Sequence, residues 1–413
     1  MLFLRLFKES IVFAYRALTL NKLRSLLSLL GISIGIFSII AVFTLVDALE
    51  KGLRDGVSAL GDDVVFVQKW PWGGGPDFEW WEYWQRPHPN YRQFKDLQQR
   101  NIGADAMSFQ MDFSRSISYN GKMLKNMNIE AVSEEYPRVK ELKIGHGRFL
   151  STREIRNGSA VAVIGDEIAT KFFNFPEAAI GKQIKLGSIK VTVIGVFEKE
   201  GSGISFDSAD DKVLTGVQFA RSLVTQANAS SSILVKAKAG VTIEELKDRI
   251  TGSFRAVRRL RPNEKDDFSL NESSALNKQL DGLFGVINTA GIVIGLFSIL
   301  VGGFSIANIM FVSVKERTNL IGIQKSLGAK SYFVLLQFLF EAIFLAIGGG
   351  IIGLFIVFIG SVIGSLAADM AITLTLKNIG LGIGISALIG LISGLAPASQ
   401  AARMNPVDAI RSN

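Results

Sequence analysis

The chain has 413 residues, 48% of them hydrophobic, with a mean hydropathy of +0.31, a net charge of +8 and a pI of about 9.5. It contains no cysteine, which excludes disulfides, thiolate metal sites, iron–sulfur clusters and cysteine nucleophiles. Its two histidines, His88 and His146, are too few and too far apart in sequence for a typical zinc site, so no metal is expected.

The apolar excess sits in uncharged runs near the N-terminus and in the last third, around a mixed, charged middle. That distribution predicts membrane spans around a folded domain. Basic residues cluster beside the spans, so the positive charge is explained without nucleic acid.

In residues 1–24, Leu2, Phe3, Leu6, Phe7, Ser10, Phe13, Ala14, Ala17 and Leu18 recur at helical spacing, with Arg5, Lys8, Arg16 and Lys22 interspersed. This predicts an amphipathic helix lying in the cytoplasmic-side interface. Between Arg24 and Asp47 no residue is charged. That is about 22 residues, or about 33 Å of helix, enough to cross a hydrocarbon core of about 30 Å. Transmembrane helix 1 is expected over 25–49, as an uncleaved signal anchor.

Residues 50–281 read as a mixed α+β domain inserted between the first two spans. Val64-Val65-Phe66-Val67 is an expected strand, as are residues 160–165 and 232–237. A helix is expected over 167–173. Residues 183–186 and 189–197 suggest a hairpin turning at Gly187-Ser188, with Ile189, Val191, Val193 and Phe197 on one face. After Thr242, Glu244 and Glu245 precede Arg255, Arg258 and Arg259 in the charge order a helix dipole favours. All five tryptophans, Trp70, Trp72, Trp80, Trp81 and Trp84, fall in one Pro- and Gly-rich stretch read as a loop. They form either a local packed cluster or a surface touching lipid headgroups or a partner.

Residues 282–314 are uncharged for about 33 positions, or about 50 Å of helix. This is transmembrane helix 2, its surplus emerging as a stalk. A cytoplasmic loop is expected at 315–335, then transmembrane helix 3 at 336–368, transmembrane helix 4 at 378–400 and a tail at 401–413. In the loop, Ile321, Lys325 and Leu327 suggest a short helix, with Gly328 as its left-handed cap and Ser331 capping the next. Lys and Arg beside the spans place both termini and this loop in the cytoplasm, and residues 50–281 outside it.

Small residues recur in the spans: Gly31 and Gly35, Gly291 and Gly295, Gly360 and Gly364, Gly390 and Gly394, with Gly348, Gly349, Gly350 and Gly353 adding another close-approach face. Such faces predict tight helix packing and association with a second copy. Glu341, near the start of transmembrane helix 3, is either functional or paired with a nearby Lys or Arg. No GxxxxGK[ST], GxSxG or HExxH occurs, and no catalytic spacing of carboxylates is evident, so an enzyme is not expected.

Four segments together carry a resemblance. Residues 21–35 (Asn21-Lys22-Leu23-Arg24-Ser25 through Gly31-Ile32-Ser33-Ile34-Gly35) look like a first-span signature. Residues 315–329 look like V-x-E-R-T-x-E-I-G-I-x-K-A-L-G-A. Phe338-Leu339-Phe340-Glu341-Ala342 looks like a third-span start. Residues 397–411 look like P-A-x-x-A-A-x-x-x-P-x-x-A-L-R. With Gly147-Arg148-Phe149-Leu150, Val161-Ala162-Val163-Ile164-Gly165 and Ile180-Gly181-Lys182, they make the whole chain resemble the MacB-like, FtsX-domain permeases of ABC transporters. Asn319-Leu320 stands where that pattern is acidic before Ile-Gly.

The resemblance implies a permease subunit of the mechanotransmission type in a bacterial inner membrane. A separate ABC ATPase, holding ATP and Mg, would dock on Glu316, Arg317, Ile321, Gly322, Lys325, Leu327, Gly328 and Ala329. Its motion would be relayed to the periplasmic domain to export or extract a drug, peptide or lipoprotein. A second permease copy or homologue, a periplasmic adaptor and an outer-membrane channel are further implied partners. The alternative is a signalling subunit that activates an outer partner, such as a cell-wall hydrolase, without transport.

Overall fold

A computed structural model describes residues 22–73, 78–201, 208–225, 229–368 and 371–411. Most of the expected interfacial helix at 1–24 lies outside the described residues. The chain divides into two compact units, Lys51–Gly282 and Met1–Glu50 with Leu283–Asn413. The first is called the inserted unit here and the second the helical unit.

The inserted unit is built on a sheet of ten strands: β1 (Val64–Gln68), β2 (Ala104–Tyr119), β3 (Lys122–Val132), β4 (Ile144–Gly147), β5 (Val161–Ile164), β6 (Gln183–Leu186), β7 (Ile189–Phe197), β8 (Lys212–Gly216), β9 (Ser230–Ala237) and β10 (Ser269–Asn271). The order is β10-β1-β9-β2-β3-β8-β5-β7-β4, with β6 pairing β2 and β7. Among the described residues, only β3/β8 and β5/β7 are parallel.

The apolar runs of β1 and β5 are buried as fully apolar strands should be. The β6–β7 hairpin closes with Leu186 opposite Ile189, and Gly187 takes the left-handed backbone its turn needs, φ +61°. Ile189 does not join the buried face of Val191, Val193 and Phe197; at the turn it stays exposed.

The longest hairpin, β2–β3, was not anticipated from the sequence. It turns at Asn120-Gly121, both at positive φ, with Tyr119 opposite Lys122. Its alternation is two-sided. Phe109, Met111 and Phe113 are buried on one face, while Gln110, Asp112 and Ser114 occupy the other.

Around the sheet lie α2 (Trp80–Trp84), α3 (Tyr91–Gln98), α4 (Tyr136–Val139), α5 (Thr152–Asn157), α6 (Asp166–Phe173), α7 (Val217–Leu223) and α8 (Ile243–Arg258). α8 starts where Thr242 accepts the Glu245 amide, and it buries Leu246, Ile250 and Phe254. α2 is a helical turn within the stretch read as loop.

The helical unit holds the body of α1 (Lys22–Ser58) and of α9 (Ser273–Glu316), with α10 (Thr318–Ser326), α11 (Ser331–Ala368), α12 (Leu376–Arg403) and α13 (Pro406–Arg411). Among the described residues, four helices are long and apolar enough to cross a membrane: Leu29–Ser58, Ser273–Glu316, Ser331–Ala367 and Leu376–Arg403. The protein is a multi-pass membrane protein with a mixed α/β domain between its first and second spans.

Ile32, Ile36, Ile39 and Ile40 form one stripe of α1. They pack with Ile306 and Met310 of α9, Phe338, Ala342 and Ala346 of α11, and Ile389, Ala398 and Ala401 of α12. Large apolar side chains such as Phe297, Phe304, Phe355 and Leu366 face outward, as lipid allows. At 44 residues, α9 runs about 66 Å, roughly twice the hydrocarbon thickness.

Candidate functional site

The turn between α9 and α11 is a compact knob. α10 closes through Gly328, whose φ of +94° is open to glycine and strained for other residues. Its amide reaches the Lys325 carbonyl, and the Ala329 amide reaches that of Gln324.

Three inward contacts brace the knob. Arg317 Nη1 lies 3.1 Å from Glu341 Oε2 on α11, and Ser313 Oγ donates to Glu341 Oε1 at 3.4 Å. Glu341 is 0% exposed, and Arg317 is the cation placed to compensate its charge. Lys325 Nζ donates to the Ala402 and Met404 carbonyls at 2.8 and 2.7 Å. There it meets carbonyls at the end of α12 with a cation, which the helix dipole favours. A Cβ on Gly322 would lie 3.0 Å from Ala409 Cβ and 3.0 Å from Ile410 Cγ1, so glycine at this position favours the close approach of α13.

Of the residues expected to meet an ATPase, Arg317, Ile321, Gly322 and Lys325 therefore face the chain itself. Glu316, Leu327 and Gly328 are exposed, and Ala329 is half-buried. The outer face carries exposed apolar side chains: Leu320 is 59% exposed, Ile323 45% and Leu327 84%. Their i, i+3, i+7 spacing makes one stripe. Leu320 and Ile323 were not singled out in the sequence, although that spacing was the available signal.

The span glycines divide into two groups. A Cβ on Gly349 would lie 2.7 Å from Ile32 Cγ2, and one on Gly353 would lie 2.8 Å from the Ser33 carbonyl. On Gly31 and Gly35 it would lie 2.9 Å from Ser305 Oγ and 3.1 Å from the Ser298 carbonyl. These four let α1 approach α11 and α9. Gly291 and Gly295 make ordinary contacts, at 3.6 Å from Phe43 and Ile39. Gly350 and Gly390 are tight too: a Cβ on the first would overlap Ser386 Oγ, and one on the second would lie 2.7 Å from Ile343 Cα. Polar side chains add links: Ser33 Oγ donates to the Gly349 carbonyl at 3.0 Å, and Asn378 Nδ2 to Asp47 Oδ2 at 3.0 Å.

Four of the tryptophans form one aromatic cluster, with ring centroids 6.5 Å apart for Trp70 and Trp84, 6.3 Å for Trp80 and Trp84 and 6.0 Å for Trp80 and Trp81, while Trp72 packs separately. Trp72 is half-buried against Phe66, ring centroids 4.7 Å apart. Trp70 lies beneath Lys69, whose Nζ sits 5.3 Å from the Trp70 ring and 5.7 Å from that of Trp84. Trp80, Trp81 and Trp84 stand exposed on α2.

The sequence reading missed a charged cluster on the polar face of β2–β3. Asp112 and Glu130 are directly opposite. Glu130 is buried, 3.3 Å from Lys212 Nζ, and accepts a short hydrogen bond from the Tyr136 hydroxyl. Burial alone would raise Glu130, but Lys212 and Lys140 outweigh it and hold its carboxyl below the usual range. Burial, and then the facing Glu130 charge, push Asp112 up to about 7.

The folded state therefore keeps a proton on Asp112 that the unfolded chain releases near pH 4, so stability contributed by this group falls as pH rises from about 4 to about 7. Asp112→Asn is expected to remove that slope. It should raise the unfolding temperature of the full-length protein by several degrees at pH 8 and by only about a third as much at pH 5. Equal shifts at both pH values would contradict the assignment. Among the described residues, no group of three His, Asp or Glu could hold a metal ion.

Residues 25–253 match the family of MacB-like periplasmic core domains, and residues 292–406 match the FtsX-like permease C-terminal family. Three proteins described as macrolide export ATP-binding/permease protein MacB are similar to most of the chain. The one from Bdellovibrio bacteriovorus is 28% identical over 96% of this chain and 60% of its own length. That from Hahella chejuensis is 29% identical, over 98% and 60%. That from Chlorobium luteolum is 30% identical, over 96% and 59%. The chain thus spans about three fifths of the length of these relatives.

Proposed function

We propose a function from the premise that this chain belongs to the family with a MacB-like periplasmic core domain and an FtsX-like permease C-terminal segment: it is an ABC transporter permease driven through the α10 knob. An ATPase partner, supplying ATP and Mg chemistry, seats the apolar stripe of Leu320, Ile323 and Leu327. The observation that carries this is the knob's two-sidedness. Its inner face is tied to α11, α12 and α13 by Arg317, Lys325 and Gly322, while its outer face leaves large apolar side chains uncovered. A push on such a knob moves helix ends and does not merely bend a loop.

Arg and Lys near the spans support a cytoplasmic knob and cytoplasmic termini, with the inserted unit on the other side. The 44-residue α9 runs without interruption from Ser273 to the knob, which supports direct mechanical relay. ATP-driven closure of two ATPases calls for two knobs, hence a second permease, either a copy or a homologue. The relatives are named as exporters, which supports export over pure signalling.

Leu327→Glu places a charge in the centre of the proposed contact. Co-purification with the ATPase partner should fall at least about tenfold, since burying an uncompensated carboxylate costs more than ~1.4 kcal/mol. Membrane insertion and the unfolding temperature should stay at wild-type values, because Leu327 is already exposed. Undiminished partner binding by Leu327→Glu and Leu320→Glu would refute this docking face.

A further inference from the structure

We propose that the solvent face shared by the ends of the β2–β3 and β6–β7 hairpins docks a partner protein presenting a carboxylate-rich strip beside an apolar side chain. Residues 113–129 and 178–197 hold Arg115, Lys122, Lys125, Lys182, Lys185 and Lys190 but no Asp or Glu. The whole chain carries 45 basic and 37 acidic residues, so these two stretches are a local excess of one sign.

Pairing brings the stretches together. Ser118 of β2 lies opposite Met123 of β3 and opposite Lys185 of β6, and Lys185 lies opposite Lys190 of β7. Residues opposite one another share a face, so Met123, Ser118, Lys185 and Lys190 make one row across four strands, roughly 14 Å wide. Ile184 and Leu186 alternate to the other side and are buried, while Met123, Lys185 and Lys190 are exposed. Lys125 follows on β3 and Lys182 immediately precedes β6, both exposed.

This row is electrostatically incomplete. Like charges directly opposite one another destabilise a sheet, and Lys185 and Lys190 stand that way. No carboxylate among the described residues pairs with Lys125, Lys182, Lys185 or Lys190. Arg115 and Lys122 are set apart, since they already donate to the Leu223 and Lys171 carbonyls at 3.2 and 3.1 Å. Lysines spread over such a width exceed the reach of one small anion and suit several carboxylates held by one partner. Met123, 59% exposed at the end of the row, offers that partner an apolar contact.

Position within the inserted unit favours protein over lipid. Lys236 of β9 lies opposite both Val64 and Ala106, so β1 and β2 begin at the same level and run the same way. β10 runs back beside β1, with Asn271 opposite Phe66. The chain therefore joins its spans at the end of the sheet where β2 begins. From Ala106 to Ser118 is roughly 40 Å of strand, which puts the lysine row at the opposite end. None of these residues belongs to α10, so failure here would leave the knob's docking reading untouched.

The test uses full-length protein in nanodiscs of zwitterionic lipid and a labelled peptide repeating Glu-Leu-Glu-Ser, with a Lys-Leu-Lys-Ser peptide as control. Lys185→Gln combined with Lys190→Gln should weaken binding of the acidic peptide about tenfold at low salt. Arg153→Gln combined with Lys238→Gln removes the same charge from other exposed positions and should change binding less than twofold. Lys185→Glu sets a carboxylate opposite Lys190, so it should keep or raise the unfolding temperature while weakening the acidic peptide about tenfold. Phosphatidylglycerol vesicles should bind the wild type and the Lys185→Gln, Lys190→Gln protein equally. Failure of the acidic peptide to bind, equal loss from the two charge-removing pairs, equal binding of the basic peptide, or vesicle binding that needs Lys185 and Lys190 would each overturn the proposal.

Discussion

Replacing Arg317 with alanine is expected to cost the helical unit about 3 kcal/mol, because it strands the buried Glu341 carboxylate. The Ser313 hydroxyl at 3.4 Å is a weak substitute for a guanidinium at 3.1 Å. Removing one partner of a buried pair costs more than removing both. The double variant Arg317→Met with Glu341→Leu should therefore recover most of the lost stability. It should not recover coupling: the knob would regain packing but lose its directional tie to α11. The measurements are thermal unfolding of the purified protein and partner ATPase activity in reconstituted membranes. A single Arg317→Ala variant that melts with the wild type would show that the ion pair does not stabilise the fold. A double variant with full coupling would show that it does not transmit force.

That pair also marks where sequence reading stops. Glu341 was readable as a carboxylate in need of a partner, since its cost in an apolar run is local information. Its partner was not, because Arg317 lies 24 residues away across a helix turn. Lys325 is a sharper case. A lysine in a cytoplasmic loop reads as a surface charge, yet it reaches the α12 carbonyls 77 and 79 residues on. The spans were legible because an uncharged run of bilayer length is rarely anything but a membrane helix. Their ends were less so: α9 begins at Ser273, before Lys278 and Asp281, where the uncharged run is already broken.

The strands divide the same way. The apolar runs of β1 and β5 are short and buried, and were visible as such. β2 and β3 mix Gln, Asp, Ser, Arg, Asn and Lys into their polar face, so apolar content hid the longest hairpin in the domain. The Asn120-Gly121 turn was the local signal that could have revealed it.

Gly165→Ala should unfold the inserted unit, although alanine suits the local backbone well. Gly165 has φ −68° and ψ 155°, ordinary extended values, so the obstacle is space and not conformation. A Cβ there would overlap the Asp210 carbonyl and sit 2.5 Å from the carbonyl oxygen of Ala209. Those atoms cannot step aside cheaply. The Gly165 amide donates to the Lys212 carbonyl at 2.8 Å and the Glu167 amide to the Asp210 carbonyl at 3.1 Å. The Asp210 carboxylate receives the Glu200 and Gly201 amides, each at 3.0 Å. Moving residues 209–212 would also draw Lys212 away from the buried Glu130 carboxylate.

Overpacking and a broken buried pair together exceed about 4 kcal/mol, the range in which single substitutions become exceptional. Gly181→Ala is the control. Its φ is +77° but nothing lies within 4 Å of its Cβ, so it should cost only about 1 kcal/mol of backbone strain. Limited proteolysis of the full-length protein should cut Gly165→Ala throughout residues 51–282 while leaving Gly181→Ala resistant. If the two variants proved equally resistant, the close approach of residues 209–212 to the start of α6 would be wrong. The packing that holds Lys212 against Glu130 would then have to be redrawn with it.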